Sequence, residues 1–405
     1  MKTVRPYPAC TVTKKAEAAI LGGHPWVYAD EITAPPLPAP ANGALVDVLS
    51  AKGRYLGTGF LSEASKIRVR LLSRSPNDRF DAAFWRRRAE YAWAYRKTVL
   101  APEDLCACRV IFGEADQFPG LTVDRFGDIL VTQTLSYGME QRKGLIFPLL
   151  AEVLRADGQA IRGIYERNDV PVRELEGLPQ QTGFLRGEFP TTVEMEENGI
   201  KFLVDVAHGQ KTGFFLDQKE NRASLAPLVR GREVLDCFTH TGSFALHAAK
   251  YGASHVTGVD ISEDACAIAR RNAELNGLNN VEFVAENAFD LLRRSYDEKK
   301  HYDVIILDPP AFTKTRQALS GALRGYKEIN LRGMKLVREG GYLITCSCSQ
   351  HVTPPLFREM LLDAQKDARV KLRQVEWRTQ GRDHPILLSS PETEYLKCAI
   401  FQVLS

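Results

Sequence analysis

Between residues 233 and 260 the chain reads EVLDCFTHTGSFALHAAKYGASHVTGVD. A short apolar run, Val234-Leu235, closes on an acid, Asp236. A turn containing Thr239, Thr241 and Gly242 follows, then the helix-like SFALHAAK, which stops at Tyr251-Gly252. A second apolar run, Val256 to Val259, closes on Asp260. Strand, tight turn, helix, strand is one right-handed βαβ unit, and it commits this region to a parallel α/β sheet. Gly242 is expected to let the backbone approach a ligand closely, and the helix start to direct free N–H groups at a carboxylate or phosphate. Asp260, at the carboxyl end of its strand, is placed to accept hydrogen bonds from both hydroxyls of a ribose. A βαβ unit with no ligand is the plainer alternative; two acids ending two successive strands favour the nucleotide-like site.

The pattern continues downstream. SEDACAIARRNAELNG reads as a helix with Ser262 as N-cap and two acids in its first turn. VEFVAEN is a third strand closing on Asn287-Ala288-Phe289, where an amide can read the edge of an adenine with Ala288 or Phe289 against its face. YDVIILDPPAF is a fourth strand ending on Asp308, and its two prolines stop the strand and stiffen the loop. EGGYLITCSCSQH is a fifth, ending on Cys346-Ser347-Cys348. Each polar terminus falls at a strand's carboxyl end, where open α/β sheets bind ligands. A dinucleotide pyrophosphate calls for G-x-G-x-x-G after the first strand, whereas FTHTGSF has one glycine. S-adenosylmethionine fits better, with its carboxylate near Thr241-Gly242 and its ribose on Asp260.

The remaining chain bounds the context. At 405 residues there is room for two or three domains. We expect a small β-rich domain over 1–75, a central α+β unit over 76–190 that positions a substrate, and the nucleotide-like domain over 191–405. Net charge is only +3, so a nucleic-acid site has to come from local clustering. KIRVRLLSR alternates Ile67, Val69 and Leu71 with Lys66, Arg68 and Arg70, which gives a strand one apolar and one basic face. That strip suits either phosphate contact or a solvated edge. DAAFWRRRAEYAWAYRKTVL carries Phe84, Tyr91, Ala92 and Tyr95 at helical spacing, with Arg86, Arg87, Arg88, Arg96 and Lys97 around the rest. Asn198-Gly199 marks a hairpin. No secretory h-region opens the chain, and no run reaches the roughly 18 apolar residues of a membrane span. The eight cysteines lack zinc spacing, so no metal is expected and a reduced, cytoplasmic protein is.

Two resemblances add to this reading. GGHPWVY followed by YLGTGFLSEASKIRVRLL resembles the PUA domain, an RNA-binding pseudo-barrel of RNA-modifying enzymes. The run GQKTGFFLDQKENR, DCFTHTGSFALHAA, GVDIS, AENAFDLL, DPPAF, RGYKEIN, TCSCS, DHP and PETEYLK is similar to the RlmI-like family of class I methyltransferases. These make 5-methylcytosine in large-subunit (23S) ribosomal RNA. The resemblance runs nearly end to end. It implies a Rossmann-like C-terminal domain behind a PUA-like and a central α+β domain, S-adenosylmethionine as cofactor and ribosomal RNA as partner. Carried over by position, it implies that Asp236, Thr241, Gly242, Asp260, Asn287 with Ala288, and Asp308 line the pocket. Gln218 and Arg222 match the family's DQ-x-x-NR segment beside it.

Cytosine C5 is too weak a nucleophile to take a methyl group until a thiolate has added at C6, and an acid near N3 stabilises that adduct. Cys348 and Asp308 meet this need on neighbouring strand ends. Alternation puts Cys346 and Cys348 on the same side, so it does not choose between them. Cys348 is chosen because its distance from Gly340-Gly341 and the following Ser349 match the cysteine of the family's S-C-S motif. Many wider RNA cytosine methyltransferases carry a second cysteine where this chain has Ala311, which leaves open how product is released. Two alternatives remain at this level: a ribosomal RNA guanine N-methyltransferase on the same scaffold, and a non-catalytic RNA-binding assembly factor. The modified nucleotide, free RNA or assembling subunit as substrate, and homodimerisation are not legible.

Overall fold

The computed structural model describes residues 5–313 and 315–404. The first four residues, part of the expected N-terminal domain, lie outside the described residues. The chain forms two compact units. The first comprises Met1–Met195, Val204–Leu216 and Arg382–Thr393; the second comprises Glu196–Leu203, Asp217–Gly381 and Glu394–Ser405.

The first unit holds two sheets. Strands β1 (Ala9–Val12), β2 (Trp26–Tyr28), β3 (Ile32–Leu37), β4 (Leu45–Ser50), β5 (Tyr55–Leu61) and β6 (Ile67–Ser73) form a six-stranded sheet in the order β2-β6-β5-β4-β1-β3. Helix α1 (Lys14–Leu21) is capped by the Thr13 side chain and buries Ala16 and Ile20 in the same core as Val46, Val48 and Val69. Strands β7 (Ala107–Phe112), β8 (Leu121–Phe126), β9 (Ile129–Thr134), β10 (Gly163–Asn168) and β11 (Gln181–Arg186) make the second sheet. It packs with α2 (Ala82–Val99), the short α3 (Tyr137–Glu140) and α4 (Lys143–Ala156) around Trp85, Trp93, Ile111 and Leu150.

Two expectations are corrected in this unit. The alternation of β6 is real, with Val69 and Leu71 buried. Its basic face is not a free phosphate strip, however, because the Arg70 guanidinium pairs with Glu114 at 3.2 Å and Glu176 at 3.0 Å. Arg68 donates to the carbonyls of Ser62 and Glu63. On α2 the inward face carries Phe84, Trp85, Ala89, Ala92 and Trp93 together with Arg88 and Arg96, while Tyr91 is 67% exposed. Arg96 lies fully buried because Asp116 neutralises it through both carboxylate oxygens. A buried arginine with a buried acid breaks the rule that charges mark the wet face.

Strands β12 (Thr192–Glu197) and β13 (Ile200–Asp205) form a hairpin. Asn198 and Gly199 both take positive φ, 52° and 75°, as a two-residue turn that follows the strand twist requires.

The second unit is built on a seven-stranded sheet ordered β16-β15-β14-β17-β18-β20-β19. Its strands are β14 (Glu233–Cys237), β15 (His255–Asp260), β16 (Val281–Ala285), β17 (Tyr302–Leu307), β18 (Val337–Ser347), β19 (Lys371–Arg378) and β20 (Lys397–Leu404). The short helices α5 (Lys219–Ala223) and α6 (Ala226–Val229) precede β14. Crossovers run through α7 (Ser243–Lys250), α8 (Glu263–Leu275), α9 (Ala288–Asp297) and α10 (Leu319–Leu336), with α11 (Pro354–Ala368) after β18. Strands β14 to β18 pair in parallel; β20 is antiparallel between β18 and β19. The order reverses at β14, whose neighbours are β15 and β17, and that reversal opens a crevice at the carboxyl edge.

Candidate active site

Asp236, Asp260 and Asp308 arrive together at the carboxyl ends of β14, β15 and β17. Register sets their depth: Asp236 pairs level with Gly258 and Ile306, so Asp260 and Asp308 lie two residues further out. Asp236 is fully buried. Its Oδ2 accepts from Thr239 Oγ1 at 2.6 Å and from the Ala245 N–H at 2.9 Å, while Oδ1 is buried with no hydrogen-bond partner. Burial, reinforced by the neighbouring charges of Asp308 and Asp260, pushes the Asp236 carboxyl up to about 8 against its hydrogen bonds. Asp260 is half-buried and holds the turn, accepting from the His240 N–H at 2.9 Å and the Ser262 N–H at 3.0 Å.

The turn between β14 and α7 differs from its sequence reading. Phe238, His240 and Gly242 all have positive φ, at 68°, 54° and 87°. Bulky residues avoid this region, and such strain gathers at functional sites. A Cβ on Gly242 would lie 2.9 Å from the Phe283 ring and 3.1 Å from the Ala269 methyl. The glycine is therefore required by internal packing as well as by its φ. The helix start is also less open than expected, because Asp236 takes the Ala245 N–H and the Thr239 carbonyl accepts from Ser243. Thr241 is buried, and its carbonyl accepts from Asn272 Nδ2 at 3.1 Å. Asn287 caps α9 with its side-chain oxygen on the Phe289 N–H at 2.9 Å, so in this geometry its amide NH2 is the group left to face a base; Ala288 beside it is buried.

Gln218 donates to Asp308 Oδ1 at 2.9 Å and accepts from Asn221 at 2.6 Å. Asn221 in turn accepts from Arg378 Nε at 2.9 Å. A buried amide relay thus orients the Asp308 carboxylate. Arg222 is drawn elsewhere: it is fully buried in a bidentate pair with Glu197, at 2.6 and 2.8 Å. Its match to the family segment reflects the support of that segment, and we assign it no cofactor contact.

The two strand-end cysteines are separated by burial. Cys346 is sealed inside the sheet opposite Cys398, and burial pushes its thiol well up. Cys348 is half-buried, with Sγ 4.0 Å from the Pro309 carbonyl of the Asp308 loop. Sequence reasoning missed Tyr326, Arg378 and Lys397. Tyr326 OH lies 2.9 Å from Ser349 Oγ, and Lys397 Nζ donates to the Ser349 carbonyl at 2.8 Å. The PETEYLK match was the only signal for Lys397.

Comparison with known proteins agrees with this architecture. Residues 10–74 match the model of a PUA-like domain and residues 178–385 that of an S-adenosylmethionine-dependent methyltransferase. The chain is 43% identical over 383 residues to ribosomal RNA large subunit methyltransferase I of Shewanella denitrificans, covering 94% of this chain and 95% of that one. The protein of the same name from Escherichia coli O139:H28 is 39% identical over 389 residues, covering 95% and 97%. The chain belongs to the ribosomal RNA large subunit methyltransferase I family. The fold of this family member is shared with an S-adenosylmethionine-dependent methyltransferase structure from Streptococcus mutans, at TM-score 0.81, 23% identity and 97% and 99% coverage. A methyltransferase solved in complex with SAH gives TM-score 0.82 at 23% identity, with 97% and 100% coverage.

The family's methyl donor fits the residues present. A carboxyl oxygen buried without a partner is costly unless a ligand supplies the missing donor, and Asp236 Oδ1 is such an atom at the sheet's carboxyl edge. Among the described residues, no helix is long and apolar enough to cross a membrane.

Proposed function

We propose that this protein forms 5-methylcytosine in large-subunit ribosomal RNA through a covalent bond between Cys348 and cytosine C6. The single observation that carries the chemistry is the contrast between the two thiols, Cys346 sealed and Cys348 half-buried beside the Asp308 loop. The substrate follows from relatives at 39% to 43% identity over nearly the whole chain, all named as ribosomal RNA large subunit methyltransferases.

S-adenosylmethionine, when bound, supplies an electrophilic methyl group. Asp236 and Asp260 would hold it, with Thr241, Gly242, Asn287 and Ala288 shaping the pocket around them. Cys348 adds as thiolate to C6, and the electron pair displaced from the C5–C6 bond makes C5 enamine-like. Asp308, oriented by Gln218 and protonated for this step, gives its proton to N3 as negative charge arrives there and takes it back when the adduct collapses. Once C5 carries its new methyl group, the C5 proton leaves, the C6–S bond breaks and the Cys348 thiolate returns. With Ala311 in place of a second cysteine, removal of that proton falls to Asp308 or water. In the first unit, a cavity of about 470 Å³ lined by Arg74, Arg87, Arg88 and the exposed Tyr91 supports contact with RNA.

Nucleoside mass spectrometry of ribosomal RNA from cells with and without the protein tests the reading. Loss of one 5-methylcytosine, restored by the wild type and not by Cys348→Ala, is the expected result. Unchanged 5-methylcytosine, or a methylguanosine lost in its place, would sink it.

A further inference from the structure

Lys397 opens β20 directly opposite Ser347, the residue before Cys348. It is 2% exposed, and its Nζ donates to the carbonyls of Ser349 and Tyr395, each at 2.8 Å. Two carbonyls satisfy two of the three ammonium protons and bring no negative charge. Among the described residues Lys397 forms no ion pair with a carboxylate. A buried ammonium is costly unless a counter-charge lies near.

The electrostatic surroundings name that counter-charge. Burial pushes Lys397 down to about 8, while negative charge on Cys348 and then Glu394 pulls it back up. Tyr326, reaching in from α10, is raised to about 12, first by burial and in part by the same Cys348 charge, and its hydroxyl meets Ser349 Oγ. The segment carrying Cys348 is thus gripped from β20 by a cation and from α10 by a neutral phenol. Asp236, Asp260 and Asp308 are the acids at the carboxyl edge of the sheet, and Lys397 is the cation seated against the segment that carries Cys348.

We propose that Lys397 is a positioning residue for Cys348: through the Ser349 carbonyl it fixes the strand end, and its buried charge stabilises the Cys348 thiolate. The proposal rests on Cys348 being the nucleophile. It adds that the resting thiol is more ionised than a free cysteine at the same pH, and that the leaving thiolate returns to a waiting cation when the C6–S bond breaks.

Thiol ionisation is read without turnover. The full chain, free of RNA, is alkylated with iodoacetamide across pH 5 to 10, and the peptide carrying Cys348 is quantified by mass spectrometry. The wild-type midpoint should lie at least about one unit below the roughly 8.5 of a free cysteine. Lys397→Met should raise it by about one unit or more, cutting alkylation at pH 7 about tenfold, while Lys397→Arg keeps it low. Melting curves and S-adenosylmethionine binding check that each variant is folded. If the Met variant does not fold, Lys397→Gln, which retains a donor without the charge, takes its place. A wild-type midpoint at or above 8.5 overturns the proposal, as does a folded neutral variant with an unshifted midpoint. Failure of the nucleophile reading is distinguishable, since it would show as 5-methylcytosine formed by Cys348→Ala whatever the titration gives.

Discussion

Asp236→Asn probes the acid at the bottom of the crevice. With the carboxyl raised from 3.8 to about 8, the folded protein holds a proton there that the unfolded chain releases near pH 4. The stability this contributes is full below the unfolded value and is lost as pH rises through about 8. Over roughly four units at 1.36 kcal/mol each, the upper bound is about 5–6 kcal/mol, and Asn should abolish that slope. Ligand binding gives the sharper test. At pH 7 about nine-tenths of Asp236 is protonated, so a cationic group of the cofactor brought to Oδ1 should expel about 0.9 proton per site. Isothermal titration calorimetry of S-adenosylmethionine in buffers of differing ionisation enthalpy measures that number directly. The wild type should also bind more tightly with rising pH, by up to about tenfold per unit until pH 8. Asp236→Asn should bind more weakly, with no proton released and no pH slope. A wild-type protein that binds without proton release, or an Asn variant that still releases one, would refute the assignment of Asp236 Oδ1 to the cofactor.

Gly242→Ala should destabilise the second unit by about 1–3 kcal/mol in urea unfolding, because the new methyl meets Phe283 at a positive φ. Phe283→Leu in the same chain should recover part of the loss, and no recovery would mean that φ alone sets the cost. Arg222→Met strands the buried Glu197 carboxylate and should cost about 3–5 kcal/mol in the same assay, with Glu197→Gln restoring part of it. Arg70→Met should lower thermal stability while leaving the salt dependence of RNA binding unchanged, since its guanidinium is spent on Glu114 and Glu176; a shallower salt slope would return Arg70 to the RNA face. Cys346→Ala should keep methyl transfer to RNA within a few-fold of wild type, in contrast to Cys348→Ala, and equal loss in both would undo the choice of nucleophile.

What the sequence displayed well was strand ends. The five parallel strands each closed on a polar residue, and the fold brings those residues to one edge because parallel strands share a direction. The antiparallel β20 was invisible as such: KCAIFQVL is an apolar run like any other, and only tertiary pairing inserts it between β18 and β19. The same limit applies to side chains whose partners lie far along the chain. Arg70 alternates as a surface residue should, yet its acids stand 44 and 106 positions away. Gly242 was singled out for a ligand's approach, while the Phe283 ring that also requires a glycine there lies 41 positions on and is not visible locally. Arg222 and Arg96 read as surface or ligand cations because a buried arginine is recognisable only through its acid.

Two buried groups, an acid raised and a base lowered to about the same value of 8, now define the site. Asp236 sits where burial keeps a carboxyl protonated, and Lys397 sits where burial pulls an ammonium toward neutrality. Each group is least at ease in the resting fold and is relieved by one partner of opposite charge. For Asp236 that partner is a cation, which the cofactor carries; for Lys397 it is a thiolate, which the chain itself carries just past the end of the adjacent strand, β18. The two therefore answer to separate titrations: proton release on cofactor binding reports the first, and the thiol midpoint the second. Their independence follows from the sheet, because Asp236 ends β14 and Lys397 begins β20, with β17 and β18 between them. Methyl donor and nucleophile can thus be tuned separately on one edge, and Asp308, ending the strand next to β14 and next to the strand that carries Cys348, is the one acid positioned to feel both.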